Sequence, residues 1–388
     1  MNKVLRDLTV SLVVPWKLEF WGGGEKLAVE ISNYLYDKGM DVEVIGDSDF
    51  NAIERVSKNF IHNLLRVTYK LFDYENTGLF HTRLNQKMPD PGIFLENQIV
   101  LFFIRRLPTR GYIRKLEIRG LKSIFLIHGL SLEGFNIKNL FFSLYSLYTK
   151  FILIVNKRTY TNSHMIFQVL TNQFKNTMIQ FGYNQNRIHL VENGVRTNFL
   201  LDRNDTKFNV LFVGRLNNLQ KGIKRLVKVA KFIERSKFDI TFIVAGSGES
   251  EHLVKNSKLK NMEFLGQIDE SDKFTLLRRS NLSIITSSAE PFSLFAIESL
   301  NAGLPIVSTP SSGPIHIISK NEKFGVIAGF SPKKISLEVI RYYNLWNTDK
   351  TKYFKNKEII SKTSEKMFNP ENMLYKYYKM VLDSGRRD

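Results

Sequence analysis

Residues 281–308 constrain the fold more than any other stretch of the sequence. Asn281 to Thr286 is a short, apolar and β-branched run, which is typical of a buried strand, and Ile306 to Ser308 predicts the next one. Between them, Ser293 to Ala302 has apolar residues at helical spacing, and the glycine that follows ends the helix. A strand, a helix and a second strand in this order form a parallel β-α-β unit, so we predict an α/β fold.

Two acids, Glu290 and Glu298, lie in this otherwise mostly apolar segment. Glu290 falls in the loop after the first strand, where ligands bind in an open parallel sheet and a helix N-terminus offers N–H groups to a phosphate. Glu298 lies just over two helical turns further on, so the two carboxylates can contact separate parts of a long ligand. A carboxylate can accept hydrogen bonds from both hydroxyls of a ribose or hexose diol. On these residues alone, a surface-loop acid and a solvated helix acid are the simpler interpretation.

Residues 290–307, which read Glu-Pro-Phe-Ser-Leu through Glu298 and then Ala-Gly-Leu-Pro-Ile-Val, resemble a family signature. The signature is the Glu, seven residues, Glu motif of retaining nucleotide-sugar glycosyltransferases of family four. The resemblance implies that Glu290 binds donor-sugar hydroxyls, that Glu298 binds the ribose, and that Phe292, Ser293 and Leu294 contact the donor. Ser293 stands where the family usually has glycine, which puts the geometry of the loop near the donor sugar in question.

The length of 388 residues exceeds what one hydrophobic core normally serves, so two domains are expected. The resemblance implies the GT-B fold, in which two Rossmann-like domains with doubly wound parallel sheets face a central cleft. We expect an acceptor-side domain over 1–196, a linker over 197–207 and a nucleotide-sugar-binding domain over 208–366. The C-terminal helix, 367–388, is expected to cross back to the first domain.

The first domain opens with a strand at Leu8 to Val14, a glycine-rich loop, a helix at Lys26 to Lys38 and a strand at Asp41 to Ile45. This order is the start of a doubly wound sheet. The loop is not Gly-x-Gly-x-x-Gly, which disfavours a dinucleotide dehydrogenase. By resemblance, Gly23 and Gly24 lie over the donor diphosphate, although turns also use glycine without any function.

Further strands of the first domain are predicted within 92–101 and at Ser123 to Ile127, Arg158 to Asn162 and Arg187 to Val195. The second of these delivers His128 to its carboxyl end, where the family typically has a histidine near the donor sugar and the acceptor. A lone histidine is otherwise most often structural. Leu140 to Val155 predicts a buried, aromatic-rich helix, because polar residues interrupt it too often for a membrane span.

The second domain opens with a strand at Asn209 to Val213, followed by Gly214-Arg215 and then Lys221-Gly222 before the next helix. An arginine at a strand end and a lysine shortly after it can hold a diphosphate between them. The two residues match the family's Gly-Arg…Lys-Gly donor-phosphate element. Gly246 follows the strand at Ile240 to Ala245 and, by resemblance, borders the nucleotide base.

The resemblance implies transfer of a hexose-type sugar from a nucleotide-diphosphate donor to a hydroxyl acceptor, with retention at the anomeric carbon. The leaving diphosphate gains negative charge, which Arg215, Lys221 and the helix start near Ser293 would stabilise without a metal or other cofactor. The predicted catalytic residues are His128, Glu290, Arg215 and Lys221. Asp47-Ser48-Asp49 is the one plausible metal pair, and we interpret it as a solvated loop.

The formal charge of +19 favours an anionic partner, and charge alone leaves nucleic acid, anionic lipid and phosphorylated small molecules open. Basic and apolar residues interleave over 101–122, so 105–122 can make a peripheral contact with an anionic membrane or hold a phosphorylated acceptor. A solvated helix face is the alternative. There is no cysteine and no recognisable signal peptide. We therefore expect a cytoplasmic protein that can bind the inner face of the cell membrane.

Three alternative functions remain open at this point. A nucleic-acid-binding protein is suggested by charge alone, but the basic residues are dispersed and no motif is recognised, so no nucleic acid is expected. A GT-B-like epimerase of nucleotide sugars would turn over its donor with no acceptor present. A catalytically silent scaffold is disfavoured by the intact Arg215, Lys221, Glu290 and Glu298. The acceptor stays open among lipid-linked glycans, phospholipids and surface polysaccharide precursors.

Overall fold

The computed structural model describes residues 9–14, 23–46, 88–96, 98–104, 107–128, 130, 132–134, 139–197 and 206–385. These residues form two compact units. Unit 1 takes its described residues from 1–132, 143–193 and 370–388, and unit 2 takes its own from 133–142 and 194–369. Asp47-Ser48-Asp49, Arg105, Arg106 and positions 198–205 of the predicted linker lie outside the described residues.

Unit 1 contains a parallel sheet whose described strands run in the order β2-β1-β3-β4-β5-β6. The strands are β1 (Thr9–Val13), β2 (Asp41–Ile45), β3 (Ile99–Ile104), β4 (Lys122–Ile127), β5 (Ile166–Val169) and β6 (Ile188–Leu190). All of β3 and nearly all of β4 is buried, as expected of inner strands that are covered on both faces. The strand order reverses between β1 and β3, which is where a sheet of this kind binds ligands.

Both faces of this sheet are covered by helices. Alternate residues of β3 accordingly enter two different hydrophobic cores, one on each face. The described helices of unit 1 are α1 (Gly23–Asp37), α2 (Arg110–Ile118), α3 (Leu140–Val155), α4 (Lys157–Asn162), α5 (Asn172–Gln180) and, at the end of the chain, α14 (Pro370–Gly385). In one core, Leu27, Ile31 and Leu35 of α1 pack with Tyr377 and Val381 of α14. The predicted apolar face of α1 is confirmed, and its first turn begins at Gly23 rather than at Lys26.

The strand predicted at Arg158 to Asn162 is wrong, because these residues form α4 and the strand follows at Ile166–Val169. The 158–162 run is mostly polar, and Tyr160 is its one fully buried residue among those with described side chains. All four residues of β5 are buried. Burial of a mostly apolar run, which includes the buried Gln168, therefore decides where this strand lies. Similarly, the strand predicted within 92–101 begins only at Ile99.

Helix α3 is a helix as predicted, but it is not buried on all sides. Leu147, Phe151, Ile154 and Val155 are 42–53% exposed and lie on its solvent side. Across the described ranges, no helix is long and apolar enough to cross a membrane.

Unit 2 contains a second parallel sheet, with described strands in the order β12-β11-β10-β7-β8-β9. The strands are β7 (Phe208–Val213), β8 (Ile240–Ala245), β9 (Met262–Gly266), β10 (Leu282–Ile285), β11 (Ile306–Ser308) and β12 (Gly325–Ile327). The strands predicted in this half of the chain are confirmed to within a residue or so at their ends. The order reverses between β7 and β10, so a ligand is expected at the carboxyl ends of these two strands.

The described helices of unit 2 are α6 (Asn218–Lys221), α7 (Ile223–Arg235), α8 (Glu251–Lys255), α9 (Glu270–Arg279), α10 (Leu294–Asn301), α11 (Ser312–Ile318), α12 (Pro332–Thr348) and α13 (Lys350–Met367). Leu226 and Val229 of α7 and Val339 of α12 pack together against one face of the sheet. Residues of α9 and α10 lie near the opposite face, where Leu277 and Leu211 are fully buried in a smaller core.

Candidate active site

Two loops of unit 2, each carrying one of the predicted motifs, meet at the carboxyl ends of the paired strands β7 and β10. The Ser288 N–H donates to the Gln220 carbonyl at 2.6 Å, and the Thr286 hydroxyl donates to the Lys221 carbonyl at 2.8 Å. Gly222 has a φ of 68°, and a Cβ there would lie 2.2 Å from the Thr286 carbonyl oxygen. Only glycine permits this approach, so the sheet order and one glycine bring two sequence-distant motifs together.

Lys221 and Glu290 form an ion pair between these loops. Lys221 Nζ lies 2.5 Å from Glu290 Oε2, and the Ser287 hydroxyl donates to the same oxygen at 3.0 Å. Glu290 is only 8% exposed, so its carboxylate depends on both partners. The arrangement places one cation beside one strong acceptor, which suits a ligand that carries both an anion and hydroxyl groups.

Arg215 directly follows the glycine after β7, and its side chain is exposed to solvent. The loop after β8 packs against the Arg215 loop, since the Leu216 N–H donates to the Ser247 carbonyl at 2.8 Å. Gly246 has a φ of 132°, and a Cβ there would lie 1.9 Å from the Gly214 carbonyl oxygen. Gly246 is therefore needed for the close packing of its backbone against Gly214, next to Arg215. Its contact with a nucleotide base stays a prediction.

Glu298 has a cationic partner of its own, Lys273 on α9. Lys273 Nζ lies 2.7 Å from Glu298 Oε1 and 3.0 Å from Glu270 Oε1. Burial acts to lower the pKa of Lys273, but the Glu298 and Glu270 carboxylates outweigh burial and raise this pKa above its ordinary value. Lys273 therefore stays charged and fixes Glu298. No sequence pattern links these two helices, so Lys273 was not predicted.

Ser293, at the start of α10, adopts a backbone conformation that side chains rarely take. Its φ is 84° and its ψ is 91°, and its hydroxyl accepts the Ala296 N–H at 3.2 Å as the helix cap. The family's usual glycine would adopt this φ without strain. The backbone shape of a glycine is therefore retained here, with Leu294 as the first helical residue.

Phe292, next to Ser293, is a packing residue rather than a side chain open to solvent. It is 3% exposed, and its ring centroid lies 6.2 Å from that of His316 and 6.4 Å from that of Phe368. A donor contact at Phe292 would therefore involve its backbone, and that contact stays a prediction.

A short segment far away in sequence supports the Glu290 loop. Asn139 Nδ2 donates to the Ser288 carbonyl at 2.5 Å, and the Glu133 carboxylate accepts the Ser312 N–H at 3.1 Å. Both side chains are at least nine-tenths buried and belong to the 133–142 segment of unit 2. The Gly313 N–H in turn donates to the Glu290 carbonyl at 2.8 Å. Sequence reasoning missed Glu133 and Asn139, which lie in no recognisable motif.

His128, at the carboxyl end of β4 in unit 1, lies next to α14. Its Nε2 is 3.1 Å from the Tyr377 hydroxyl oxygen, and its ring lies 5.1 Å from that of Phe103. Burial lowers the pKa of His128 to about 3, and the nearby Gln168 amide opposes that shift only in part. The ring is therefore neutral near pH 7 and can donate or accept a hydrogen bond without carrying charge. Gly23 and Gly24 form the first turn of α1, in the same unit.

Comparison with known proteins shows which family the residues around this site resemble. Residues 198–359, which include both loops of the site, match the model of the family described as glycosyl transferases group 1. Over these residues the chain is similar to the group 1 glycosyltransferases. A curated relative, glycogen synthase from Mycobacterium tuberculosis, is 29% identical to this chain over 142 residues, 34% of each chain. The chain spans about a third of the length of the curated relatives it matches.

Solved structures match this chain over nearly its full length. A glycosyltransferase from Rickettsia africae superposes with a TM-score of 0.66 at 17% identity, covering 98% of this chain and 99% of the other. Anabaena HepE, in a complex with UDP-glucose, superposes with a TM-score of 0.60 at 13% identity, covering 97% and 100%. With two parallel sheets, each of six described strands, the chain has the GT-B fold, as predicted.

Proposed function

We propose that this protein transfers a hexose-type sugar from a nucleotide-diphosphate donor to a hydroxyl acceptor, with retention at the anomeric carbon. The observation that carries the proposal is the pairing of Lys221 with Glu290 at the strand-order reversal of unit 2. A cation and a buried carboxylate at that point match the two chemical ends of a sugar diphosphate. The UDP-glucose complex of HepE, which shares the fold, supports a nucleotide sugar as the donor.

Donor binding exchanges the partners of the Lys221 and Glu290 pair. The diphosphate takes Lys221 and the exposed Arg215, and the sugar hydroxyls donate to the Glu290 carboxylate that Lys221 releases. As the bond to the sugar breaks, negative charge grows on the leaving phosphate oxygen. The two cations and the N-terminus of α10, which begins at Leu294, stabilise that charge without a metal.

Glu298 and His128 complete the proposed assignments. The Glu298 carboxylate accepts from the ribose hydroxyls, and Lys273 holds it in place at 2.7 Å. His128 contributes a neutral imidazole from unit 1, on the acceptor side, where Gly23 and Gly24 are proposed to contact the diphosphate. The acceptor we propose is a lipid-linked glycan or a surface polysaccharide precursor.

The decisive experiment replaces Lys221 or Glu290. A thermal-shift panel of nucleotide sugars first identifies the donor, and transfer is then measured with hydroxyl acceptors. We expect Lys221→Ala and Glu290→Ala each to lower turnover about 100-fold or more, because each removes a group aimed at developing charge or at the sugar. Lys224→Ala removes an exposed lysine three residues away and should leave turnover unchanged. Circular dichroism checks that both inactive variants are folded.

Three outcomes would contradict the proposal. Unimpaired transfer by either Lys221→Ala or Glu290→Ala would show that the site lies elsewhere. Donor consumption at full rate without acceptor would indicate an epimerase. An inverted anomeric configuration in the product, measured by NMR, would exclude retention.

We also propose a peripheral contact with an anionic membrane through the described part of 105–122. Arg114 and Lys115 of α2 are exposed, and Ile118 is 75% exposed. Arg110, at the start of α2, donates to the Asn156 side chain at 2.8 Å, so α2 adjoins the end of α3 and its exposed apolar side. Cations next to exposed apolar side chains suit the surface of an anionic bilayer.

A further inference from the structure

The side chain of His128 lies between two buried polar side chains, on one face of the sheet of unit 1. His128 directly follows β4, and Gln168 lies on the neighbouring strand β5, where it is paired with Leu126. Side chains alternate between the two faces of a strand, so His128 and Gln168 lie on the same face as Leu126. That face carries the hydrophobic core to which Leu126, Phe103 and Tyr377 belong, and the Phe103 ring lies 5.1 Å from that of His128.

The side-chain amide of Gln168 has its donor in use and its acceptor unused. Gln168 Nε2 donates to the Val191 carbonyl at 2.7 Å. Its Oε1 is buried and has no hydrogen-bond partner among the residues that the structure describes. Buried carbonyl oxygens almost always accept a hydrogen bond. The His128 ring beside this amide can supply the missing donor, provided that the nitrogen facing Gln168 carries the proton.

Tyr377, on α14, faces the other ring nitrogen. It is completely buried, and its hydroxyl oxygen lies 3.1 Å from His128 Nε2. The nitrogen left for Gln168 is therefore Nδ1. Burial lowers the pKa of His128 to about 3, so the ring is neutral near pH 7 and has one donor nitrogen and one acceptor nitrogen.

One of the two neutral tautomers gives every one of these groups a partner. With the proton on Nδ1, this nitrogen donates to Gln168 Oε1, and Nε2 accepts the Tyr377 O–H. With the proton on Nε2, Nδ1 and Gln168 Oε1 would both be acceptors. The Tyr377 hydroxyl would then lose the acceptor that His128 offers, and an unpaired buried polar group is costly.

We propose that Gln168 and Tyr377 are positioning residues that hold His128 as a neutral imidazole with its proton on Nδ1. In a histidine, the hydrogen bond made by one ring nitrogen sets the protonation and orientation of the other. Helix α14, which carries Tyr377, thereby contributes a specific hydrogen bond to unit 1 as well as apolar packing. The proposal rests on the proposed function in one respect, which is the part that His128 takes in sugar transfer.

The test is nitrogen NMR of the full chain labelled at the histidine ring nitrogens, with His128→Gln to assign the His128 signals among those of seven histidines. Near pH 7 we expect a protonated Nδ1 and an unprotonated Nε2. Gln168→Leu removes the acceptor for Nδ1–H, so the proton should move to Nε2 and be donated to the Tyr377 oxygen. Tyr377→Phe should keep the proton on Nδ1 and shift the Nε2 signal to that of a nitrogen without a hydrogen bond.

Transfer kinetics test the positioning role. Gln168→Leu and Tyr377→Phe should each lower kcat about tenfold, because a ring with a changed tautomer or orientation is misplaced for the reaction. The KM for the donor should stay unchanged, since neither residue is among those proposed to bind the donor. Tyr375→Phe is the matched control, because Tyr375 is an exposed tyrosine on the same helix. It should change neither kcat nor the His128 signals.

The proposal is overturned if Nδ1 is unprotonated in the wild type, if Gln168→Leu leaves the tautomer unchanged, or if both variants transfer at the wild-type kcat. Thermal melts establish that each variant is folded, and Tyr377→Phe keeps the proposal testable if Gln168→Leu does not fold. Failure of the proposed function gives a different result, in which the wild type transfers no sugar from any nucleotide sugar. The NMR result then decides by itself whether the ring is held as proposed.

Discussion

Ser293 shows how a single residue can depart from the signature that it resembles and still keep the local backbone shape. Its φ of 84° costs about 1–3 kcal/mol for a residue with a side chain. Its hydroxyl recovers part of that cost by capping the Ala296 N–H of α10. The sequence reveals the substitution but not its backbone angle, so the strain became visible only in the structure.

Replacing Ser293 by glycine should stabilise the protein. Ser293→Gly removes strain of about 1 kcal/mol or more and loses only a few tenths from the cap. Urea denaturation should therefore give a free energy of unfolding about 1 kcal/mol higher than that of the wild type. Ser293→Ala keeps the strain and loses the cap, so it should be less stable than the wild type by about 1 kcal/mol. A glycine variant no more stable than the alanine variant would refute the argument.

His128 makes a second prediction at this scale, because its pKa falls from 6.5 to about 3 on folding. The unfolded chain binds a proton below pH 6.5 and the folded chain does not. Stability from this residue is therefore present above pH 6.5 and is lost as the pH falls towards 3. Melting temperatures of His128→Gln should fall less steeply than those of the wild type between pH 6.5 and about 4. Parallel curves would mean that His128 is not buried as a neutral ring.

At the scale of elements, what the sequence predicts depends on how local the signal is. The strand, loop and helix over 281–302 were predicted because an apolar run and a helical spacing are both local. The run at 158–162 was misassigned because it is short and its neighbours decide its burial. The exposed side of α3 was missed because apolar residues surround the helix, and sequence alone cannot show which side the protein covers.

The 133–142 segment yields a prediction about an element that supports the site without joining it. Glu133→Ala should lower kcat/KM for transfer about tenfold or more, since the Glu290 loop loses a fixed anchor and a misplaced group is costly in catalysis. Glu133→Gln keeps an acceptor for the Ser312 N–H and should recover most of the activity. Steady-state kinetics at varied donor concentration measures both variants.

Glu263→Ala is the matched control for Glu133, because Glu263 is an exposed acid on β9. It should leave kcat/KM unchanged. Equal activity of Glu133→Ala and the wild type would show that the loop holds its shape without this carboxylate.

At the scale of the whole molecule, the site is assembled from several distant parts of the chain. The positions of Lys221 and Glu290 after strands of unit 2 were predictable because each belongs to a motif with a recognisable local pattern. The position of His128 at the end of β4 in unit 1 was predictable because it follows an apolar strand, while the functional roles of all three stay predictions. Lys273, Glu133 and Asn139 were not predictable, because their roles depend on side-chain contacts across 25 to 179 positions of sequence. The order of the strands was likewise out of reach of local patterns, yet it alone makes the loops after β7 and β10 neighbours.

The charge of +19 acts through the whole molecule and makes the proposed membrane contact sensitive to salt. Binding to phosphatidylglycerol vesicles in a sedimentation assay should fall as sodium chloride screens the attraction. Replacing Phe151 and Ile154 by serine should weaken binding at every salt concentration, because it removes apolar contact rather than charge. Leu337→Ser, an equally exposed leucine in unit 2, is the control. The proposal would be contradicted if vesicle binding changed neither with salt concentration nor on replacement of Phe151 and Ile154 by serine.

The bond between Lys221 and Glu290 also bears on which molecules the candidate site can accept. A free sugar would engage the acid and leave the ammonium unmatched, while a bare pyrophosphate would engage the ammonium and strand a carboxylate that is nearly sealed from water. Only a compound that carries both an anionic phosphate and hydroxyl groups provides partners for the Lys221 ammonium and the Glu290 carboxylate together. On the proposed function, we therefore expect the site to bind the intact donor more tightly than either of its breakdown products.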